Sequence, residues 1–312
     1  MRRIFSFYQL IFNFKHWYSN TGYPAGIITS DFCSKYKYKC TLRCGGEDIQ
    51  VLRKINYGFR INSKIDILIK KYYPRFTKLI AINKKMIQDY KDVGVLGSKI
   101  SLLPNPVYFY SPSDKENSIN KASVFTFIAV GRNHIKKDYT TLIYALPILK
   151  SISSLEFTVV FIGNGYSQIK DLVNKLKISQ LVKFKFIGHE NISDYRNLKL
   201  PSQEMIEIYQ SSHCLISPSL IEGFPNAVAE AMAFGLPVIG SNTPGNQDLI
   251  KENITGLLFE AGDSKQLAYA MKSLLEDKKQ SIVLGASGHA YSKNWSFEKV
   301  SKNYLKTFGL AK

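Results

Sequence analysis

The sequence predicts an α/β protein whose C-terminal part is a doubly wound parallel sheet. Two observations carry that expectation. From residue 124 onward, short apolar runs rich in Val, Ile and Phe alternate with amphipathic stretches, and the apolar runs are near-continuous rather than alternating. A strand that is apolar along its whole length is buried on both faces, which calls for helices above and below it and for parallel pairing. In such sheets ligands bind beyond the carboxyl ends of the strands.

Taken in order, the predicted strands of this part are VFTFIAVG (124–131), FTVVFIG (157–163), VKFKFIG (182–188), HCLISPS (213–219) and LPVIGSN (236–242). The helical patterns between them cover residues 138–150, 167–177, 204–212 and 226–235. After Asn242 come NQDLIKEN, a short GLLFE strand and a helix over 264–277. In the first 110 residues, PAGIITSDFCSKYKY reads as a helix, KCTLRCGGEDI as a strand and loop, and TKLIAI as a strand. KKMIQDYKDVG reads as a helix ended by Gly94, and KISLLPNP as a strand stopped by proline. This is α/β again, with too few strands for a complete domain. YSPSDKENSINKAS (110–123) is polar and aperiodic, as a linker would be. The division expected is a partial domain over 1–106, a linker over 107–122, a second domain over 123–295 and a closing segment over 296–312.

Composition limits the partners. The chain has 312 residues, is 45% hydrophobic and carries a formal net charge of +18, enough length for two domains and enough apolar content for a sizeable core. The charge is uneven, with twenty Lys/Arg against eight Asp/Glu in residues 1–120. Such a surface suits polyanions: nucleic acid, anionic lipid headgroups or phosphorylated substrates. Only Cys33, Cys40, Cys44 and Cys214 occur, without a Cys-x-x-Cys pair or histidines at zinc spacing, so buried cytosolic thiols are expected. No stretch reaches the roughly 18 apolar residues of a membrane span. RRIFSFYQLIFNF resembles a signal peptide only superficially, since Gln9 and Asn13 interrupt it and no small-residue cleavage site follows. A membrane-surface helix or a buried helix-strand segment fits better, and the expected location is cytoplasmic, with peripheral contact to the membrane face.

Chemistry concentrates in SPSLIEGFPNAVAEAMAFGLPVIGSNTPG, residues 217–245. The loop LIEGFPN leaves the carboxyl end of a buried strand. Gly223 allows close backbone approach, and Pro225 suits the first helical position, where a missing N–H costs nothing. The helix beyond stops at Gly235, with Pro237 following. Its amides and dipole favour an anion, so a phosphate is expected against Phe224 to Val228 without any basic side chain. Glu230 lies roughly 7–8 Å along the axis, about where a nucleotide diphosphate at the tip would leave its ribose. A carboxylate accepts well from two vicinal hydroxyls, so Glu230 reads as a ribose clamp. Glu222, on the other side of the phosphates, would face a transferred group. A loop acid and a helix-surface acid without function are the plain alternative.

The stretch EGFPNAVAEAMAFGLPVIGSNTPGNQDLI closely resembles the Glu-x7-Glu region of the retaining glycosyltransferases with the GT-B fold, the family four group of nucleotide-sugar-dependent enzymes. Five other segments carry the resemblance, in family order over residues 99–308. KISLLPNPV is similar to the interdomain Ile-Pro-Asn, and IAVGRNHIKKDYTTLIYAL to the Gly-Arg-x4-Lys segment. FIGNGYSQ resembles the Ile-Gly-x-Gly turn, VKFKFIGH the Val-x-Phe-x-Gly-His strand, and WSFEKVSKNYLKTF the closing helix that crosses back to the N-terminal domain.

The resemblance implies a GT-B type fold, with a doubly wound nucleotide-sugar-binding domain and an incomplete Rossmann-like N-terminal, acceptor-side domain. It implies that Gly131, Arg132 and Lys137 hold the donor diphosphate, with Lys136 able to replace Lys137 and Asp138 standing where many members have Gly. Arg offers a planar fork and Lys a point charge, both suited to a departing diphosphate. Glu222 falls on the carbohydrate-facing acid and Glu230 on the ribose-binding one. Gly223, Phe224, Asn226, Ala227 and Val228, with TPGN (243–246), would line diphosphate and sugar, and backbone near Ile187 and Gly188 would face the base. No Asp-x-Asp occurs, so transfer without a metal is expected, with no cofactor beyond the nucleotide-sugar co-substrate. The implied reaction moves a sugar to an acceptor hydroxyl with retention, by front-face attack in which the departing phosphate takes the proton. His134 and His189 are not expected to act as bases.

The N-terminal part matches only the back half of the family's domain. HWYSNTGYPAGIITSDFCSKYKYKCTLRCGGEDIQ resembles its middle segment, whereas the first strand and its Gly-rich loop have no counterpart, and Gly45 stands where many relatives carry a histidine. About 70 to 100 residues are wanting by comparison with a complete two-domain chain. An active enzyme with a shortened acceptor domain, a donor-binding fragment with little transfer, and a half supplied by a partner chain are the three accounts. The expected partners are a nucleotide-sugar donor, a glycan or lipid-linked acceptor of cell-surface polysaccharide, lipopolysaccharide or glycolipid synthesis, and anionic membrane. Nucleic acid is not expected, because no RNA-binding aromatic motif or recognition-helix pattern occurs.

Overall fold

A computed structural model describes residues 2–108, 124–187 and 201–308. The chain divides into two compact units, one of residues 1–105 with 302–312 and one of residues 106–301.

The first unit runs α1 (Arg2–Phe12), β1 (His16–Ser19), α2 (Ala25–Tyr36), β2 (Lys39–Arg43), α3 (Ser63–Tyr72), β3 (Lys78–Ala81), α4 (Lys84–Asp92) and β4 (Ile100–Leu102). Its four strands are parallel and lie side by side in chain order, β1-β2-β3-β4. Side-chain caps set helix starts: Asn62 accepts from Lys64 and Ile65 N–H before α3, and Asn83 from Met86 N–H before α4, each worth about 1 kcal/mol. The loop after β2 is closed by the buried Asp48, whose carboxylate accepts from Gly22 N–H at 2.6 Å and Gly46 N–H at 3.0 Å. A Cβ at Gly45 would meet no atom within 4 Å.

Two elements here escape the sequence patterns. β1 is a four-residue strand whose Trp17 stacks on Phe5 at 5.0 Å. The helix α1 is amphipathic, and it leaves Phe7, Leu10 and Ile11 exposed, Leu10 at 84%. The segment forms a helix with apolar side chains on its surface, followed by the short strand β1. Among the described residues no helix is long and apolar enough to cross a membrane.

The second unit runs β5 (Phe125–Val130), α5 (Tyr139–Ile152), β6 (Phe157–Ile162), α6 (Ser167–Lys175), β7 (Val182–Lys185), α7 (Gln203–Ser211), β8 (Cys214–Ser217), α8 (Asn226–Ala233), β9 (Val238–Ser241), α9 (Pro244–Leu249), β10 (Leu257–Phe259), α10 (Ser264–Glu276) and α11 (Lys278–Ser292). The last helix, α12 (Phe297–Phe308), spans the boundary between the two units. Its six strands are parallel in the order β10-β9-β8-β5-β6-β7. Chain order therefore reverses between β5 and β8, and a crevice opens beyond the carboxyl ends of those two strands. The core is aliphatic and aromatic on both faces, with Leu142, Leu146 and Leu149 of α5 and Met271 and Leu274 of α10 fully buried.

Two sequence expectations need correction. Pro225 is not the first helical residue: α8 begins at Asn226, and Pro225 precedes it with ψ 89°. Pro225 still serves the helix, because its carbonyl accepts from Val228 and Ala229 N–H. The helix α11 was not anticipated. KKQSIVLGASGHAYS has little apolar periodicity because its packed face is small: a Cβ at Gly285 would stand 2.3 Å from Gly235 O, so glycine is what lets the two segments touch. Most of the predicted linker, residues 109–122, lies outside the described residues, as do Gly188 and His189.

Candidate active site

Three loops meet at the reversal between β5 and β8. The first leaves β5 at Gly131, whose φ of 137° suits glycine. The Gly131 carbonyl accepts from Tyr139 Oη at 3.3 Å and from Tyr166 Oη. A Cβ on Gly163 would lie 2.5 Å from that carbonyl, so glycine at the end of β6 is required for this approach. The loop then makes a single 3₁₀ turn, Ile135–Lys137, with His134 Nδ1 accepting from Lys136 N–H at 3.2 Å. The histidine thus caps a turn. Asp138 follows with φ 47°, in the left-handed region that glycine favours. Asp is among the few other residues that tolerate the left-handed region.

The second loop leaves β8 and contains Ser219, Glu222, Gly223 and Phe224, all buried. Leu220 N–H donates to Lys136 O at 2.7 Å, tying it to the first loop by the main chain. Glu222 is only 4% exposed and is held from three sides. Lys137 Nζ lies 2.6 Å from Oε1, Lys136 Nζ 3.3 Å from Oε2, and Ser219 Oγ donates to Oε1 at 2.9 Å. Burial pushes a carboxyl up. Here the two ammonium groups and the hydroxyl outweigh it and hold Glu222 below the usual carboxylate range. Both lysines keep about a fifth of their side-chain area in contact with solvent.

The third loop leaves β9 and passes at once into α9, and TPGN (243–246), which caps and opens that helix, supports the second loop from behind. Asn246 is fully buried, and its Nδ2 donates to Ser217 O at 3.3 Å and to Ser241 O at 3.0 Å. Ser241 Oγ in turn donates to Ser219 O. At Gly245 an added Cβ would stand 2.6 Å from Glu222 O and 2.7 Å from Glu222 Cβ, so the third loop packs directly on the acid's backbone.

Lys137, Ser219, Pro225 and Ala227 line one small cleft with Val130 and Tyr139. The tip of α8 opens onto this cleft, and the amides of its first turn have no i−4 carbonyl within the helix. Asn226 at the tip is exposed and Val228 is buried. The Phe224 ring packs edge-on against Trp295 at 6.0 Å and is buried. It anchors the loop, leaving backbone to face the cleft.

Farther along α8, Glu230 is half-buried. Tyr209 Oη of α7 donates to Glu230 Oε2 at 2.7 Å. Burial pushes the Glu230 carboxyl up, with the phenol hydrogen bond opposing it.

The expected site residues do not all converge. Lys136, Lys137, Glu222 and Ala227 share one crevice, and Gly131 and Gly223 shape its walls. Arg132 is exposed and makes no ion pair among the described residues. Ile187 is half-buried just past β7, the edge strand two places from β5. Gly188, the other residue expected near the base, lies outside the described residues. Sequence reasoning missed Tyr209 and the double hold of Lys136 and Lys137 on Glu222. The available signal for Tyr209 was a tyrosine inside an apolar helix pattern, which must find a partner for its hydroxyl without saying which. Among the described residues no group of three His, Cys, Asp or Glu is placed to hold a metal ion.

Comparison with known proteins bears on this arrangement. The family model described as glycosyl transferases group 1 matches residues 112–289. An Escherichia coli UDP-Gal:alpha-D-GlcNAc-diphosphoundecaprenol alpha-1,3-galactosyltransferase is 28% identical over 202 residues, which is 62% of this chain and 49% of the relative. An uncharacterized glycosyltransferase of Methanocaldococcus jannaschii is 23% identical over 299 residues, 93% of this chain and 74% of the relative. Several of the curated relatives are matched over half their length or less. Among solved structures, Anabaena HepE in complex with UDP superposes with a TM-score of 0.80 at 17% identity, covering 98% of this chain and 81% of that one. Sucrose-phosphate synthase of Thermosynechococcus elongatus superposes with a TM-score of 0.76 at 19% identity, covering 99% and 78%.

Proposed function

The chain belongs to the glycosyl transferases group 1 family and has the GT-B fold, and on that premise we propose that it transfers a sugar, with retention, from a nucleoside diphosphate to an acceptor hydroxyl. One observation carries the reading: two lysines and a buried glutamate meet at the strand-order reversal, beside the tip of α8. This is where a parallel sheet binds its ligand and where a helix start favours an anion.

In this reading the donor diphosphate lies against Phe224 to Val228. Lys137 and Arg132 meet its charge, which grows as the bond between the anomeric carbon and the phosphate oxygen breaks. Lys136 keeps Glu222 oriented toward the sugar. Glu230 takes the ribose hydroxyls, and the base lies near Ile187 and Gly188. The acceptor oxygen bonds the anomeric carbon from the face the phosphate leaves, and its proton passes to the departing phosphate oxygen. No metal ion is required, because cations and the helix tip supply the positive field. The neighbour structures that hold UDP make UDP-sugars the first donors to try. The acceptor is a glycan or a lipid-linked sugar of cell-surface synthesis. The basic excess of residues 1–120 and the exposed apolar side of α1 suit peripheral binding to the anionic cytoplasmic membrane face. Cosedimentation with phosphatidylglycerol vesicles, lost in Leu10→Ser with Phe7→Ser, checks that last point.

The deciding experiment is a thermal-shift screen against UDP-, GDP- and ADP-sugars, repeated with Glu230→Ala and Arg132→Ala, followed by an assay for nucleoside diphosphate release with acceptor present. A stabilising donor whose effect survives both substitutions would remove the site assignment. Binding without release would favour the second reading, a donor-binding chain without transfer, which draws support from the partial cover of its curated relatives.

A further inference from the structure

A carboxylate that clamps vicinal hydroxyls must hold one orientation. Glu230, on the fifth residue of α8, receives no such constraint from the helix, and among the described residues it has no ion pair. Its constraint comes from a neighbouring element. Tyr209 of α7 is fully buried, and its hydroxyl donates to Glu230 Oε2 at 2.7 Å. The Tyr209 ring is stacked on Phe234 with centroids 5.1 Å apart and planes 21° apart. Phe234 ends α8, and its N–H is bonded to the carbonyls of Glu230 and Ala231. The phenol is therefore fixed to the same helix whose acid it holds. Burial and the adjacent carboxylate keep the phenol protonated far above its usual range, so it acts as a donor throughout the working pH range. Glu230 Oε1 makes no hydrogen bond among the described residues, and the residue is half-buried.

Resting on the ribose reading of Glu230, we propose that Tyr209 is a positioning residue for nucleotide recognition: by occupying Oε2 it turns Oε1 toward the ribose hydroxyls and so makes the site discriminate ribose from deoxyribose. A donor from a buried ring suits this task better than a lysine. It has two side-chain torsions, both fixed by packing, and it directs one lone pair without neutralising the charge that the ribose hydroxyls seek.

The test is isothermal titration of UDP, GDP and ADP, carrying forward the tightest binder with its 2′-deoxy and 3′-deoxy analogues. Wild type, Glu230→Ala and Tyr209→Phe are compared, with far-UV circular dichroism as the fold control. Wild type is expected to prefer the ribonucleotide by about tenfold or more, as loss of a hydrogen bond to a charged group predicts. Glu230→Ala should bring the two affinities to within about twofold, and Tyr209→Phe should remove most of the preference while deoxynucleotide binding stays near wild type. If Glu230→Ala leaves the preference intact, or no nucleotide binds, the ribose reading itself falls. If Glu230→Ala abolishes the preference but Tyr209→Phe keeps it, the ribose reading stands and the role given to Tyr209 is wrong. An equal weakening of both nucleotides by Tyr209→Phe would likewise assign it to packing alone. Should Tyr209→Phe fail to fold, Phe234→Leu loosens the same ring with the hydroxyl kept, and an unchanged preference there overturns the proposal.

Discussion

Glu222 and Glu230 stand eight residues apart in one strand-loop-helix passage, yet their surroundings push them in opposite directions. Glu222 is buried among two ammonium groups and a serine hydroxyl and is held in its charged form. Glu230 is half-buried against one phenol and is pushed toward neutrality. A buried acid can thus be fixed either by charge or by a neutral donor. The first way ties it to cations that a phosphate would compete for, and the second leaves its own charge uncompensated and available to hydroxyls. The difference suits the two proposed roles, in which Glu222 would share its lysines with a leaving diphosphate and Glu230 would have only to hold a sugar in place.

Substitutions at the two acids should break this comparison most visibly. Removing Glu222 leaves two partly buried ammonium groups facing each other, so Glu222→Ala is expected to destabilise toward the lower end of the about 3–5 kcal/mol seen when buried pairs are broken. Glu230→Ala should cost less, about 1–3 kcal/mol, since the fully buried Tyr209 hydroxyl loses its acceptor. Urea unfolding of both variants measures the gap, and equal losses would mean the lysines contribute nothing at Glu222. The isosteric Glu222→Gln should cut turnover about 10²–10³-fold while nucleotide still binds. The lysines come next. Lys137→Ala should weaken nucleoside diphosphate binding about tenfold or more, as loss of a charge-assisted hydrogen bond does. Lys136→Ala should act mainly on turnover, and matched effects on binding would show that the lysines are interchangeable.

The smallest expected effect is on pH dependence, where the sign separates the acids. Because Glu222 is depressed in the folded state, its stabilisation is present above the ordinary value of 4.5 and is lost as pH falls through its folded value. Because Glu230 is raised, nucleotide binding that needs its charge should begin to fail at a higher pH, above 4.5, on the same acid descent. Stability and binding measured side by side against pH should therefore decline in that order, binding first.

The sheet of the second unit was readable because each strand is apolar throughout and each helix keeps its period. The positions of Glu222 and Glu230 followed from a strand end and a helix tip, whereas Lys137 came only from the resemblance of its segment to Gly-Arg-x4-Lys. What stayed hidden depends on small residues and on distance. The packed face of α11 is serine and glycine with one leucine and one histidine, a mix that carries no apolar period, and β1 has only four residues. The first unit gave further difficulty because α1 leaves large apolar side chains on the surface, so its apolar residues do not mark a packed face. Lys136 looks like any surface lysine beside Lys137 until the loop from β8 is brought against it, and Tyr209 looks like core until Glu230 arrives 21 positions later. Pairings across elements are set by the fold, and one chain read in order does not announce them.

The contact of Gly245 with the backbone of Glu222 matters for anyone surveying sequence tolerance here. A saturation library scored for activity would return position 245 among the least forgiving, beside residues that meet the substrate, although glycine has no side chain to offer one. Its intolerance would record how little slack lies behind the acid, and a designer reshaping this site should leave that turn untouched and vary the walls of the cleft instead.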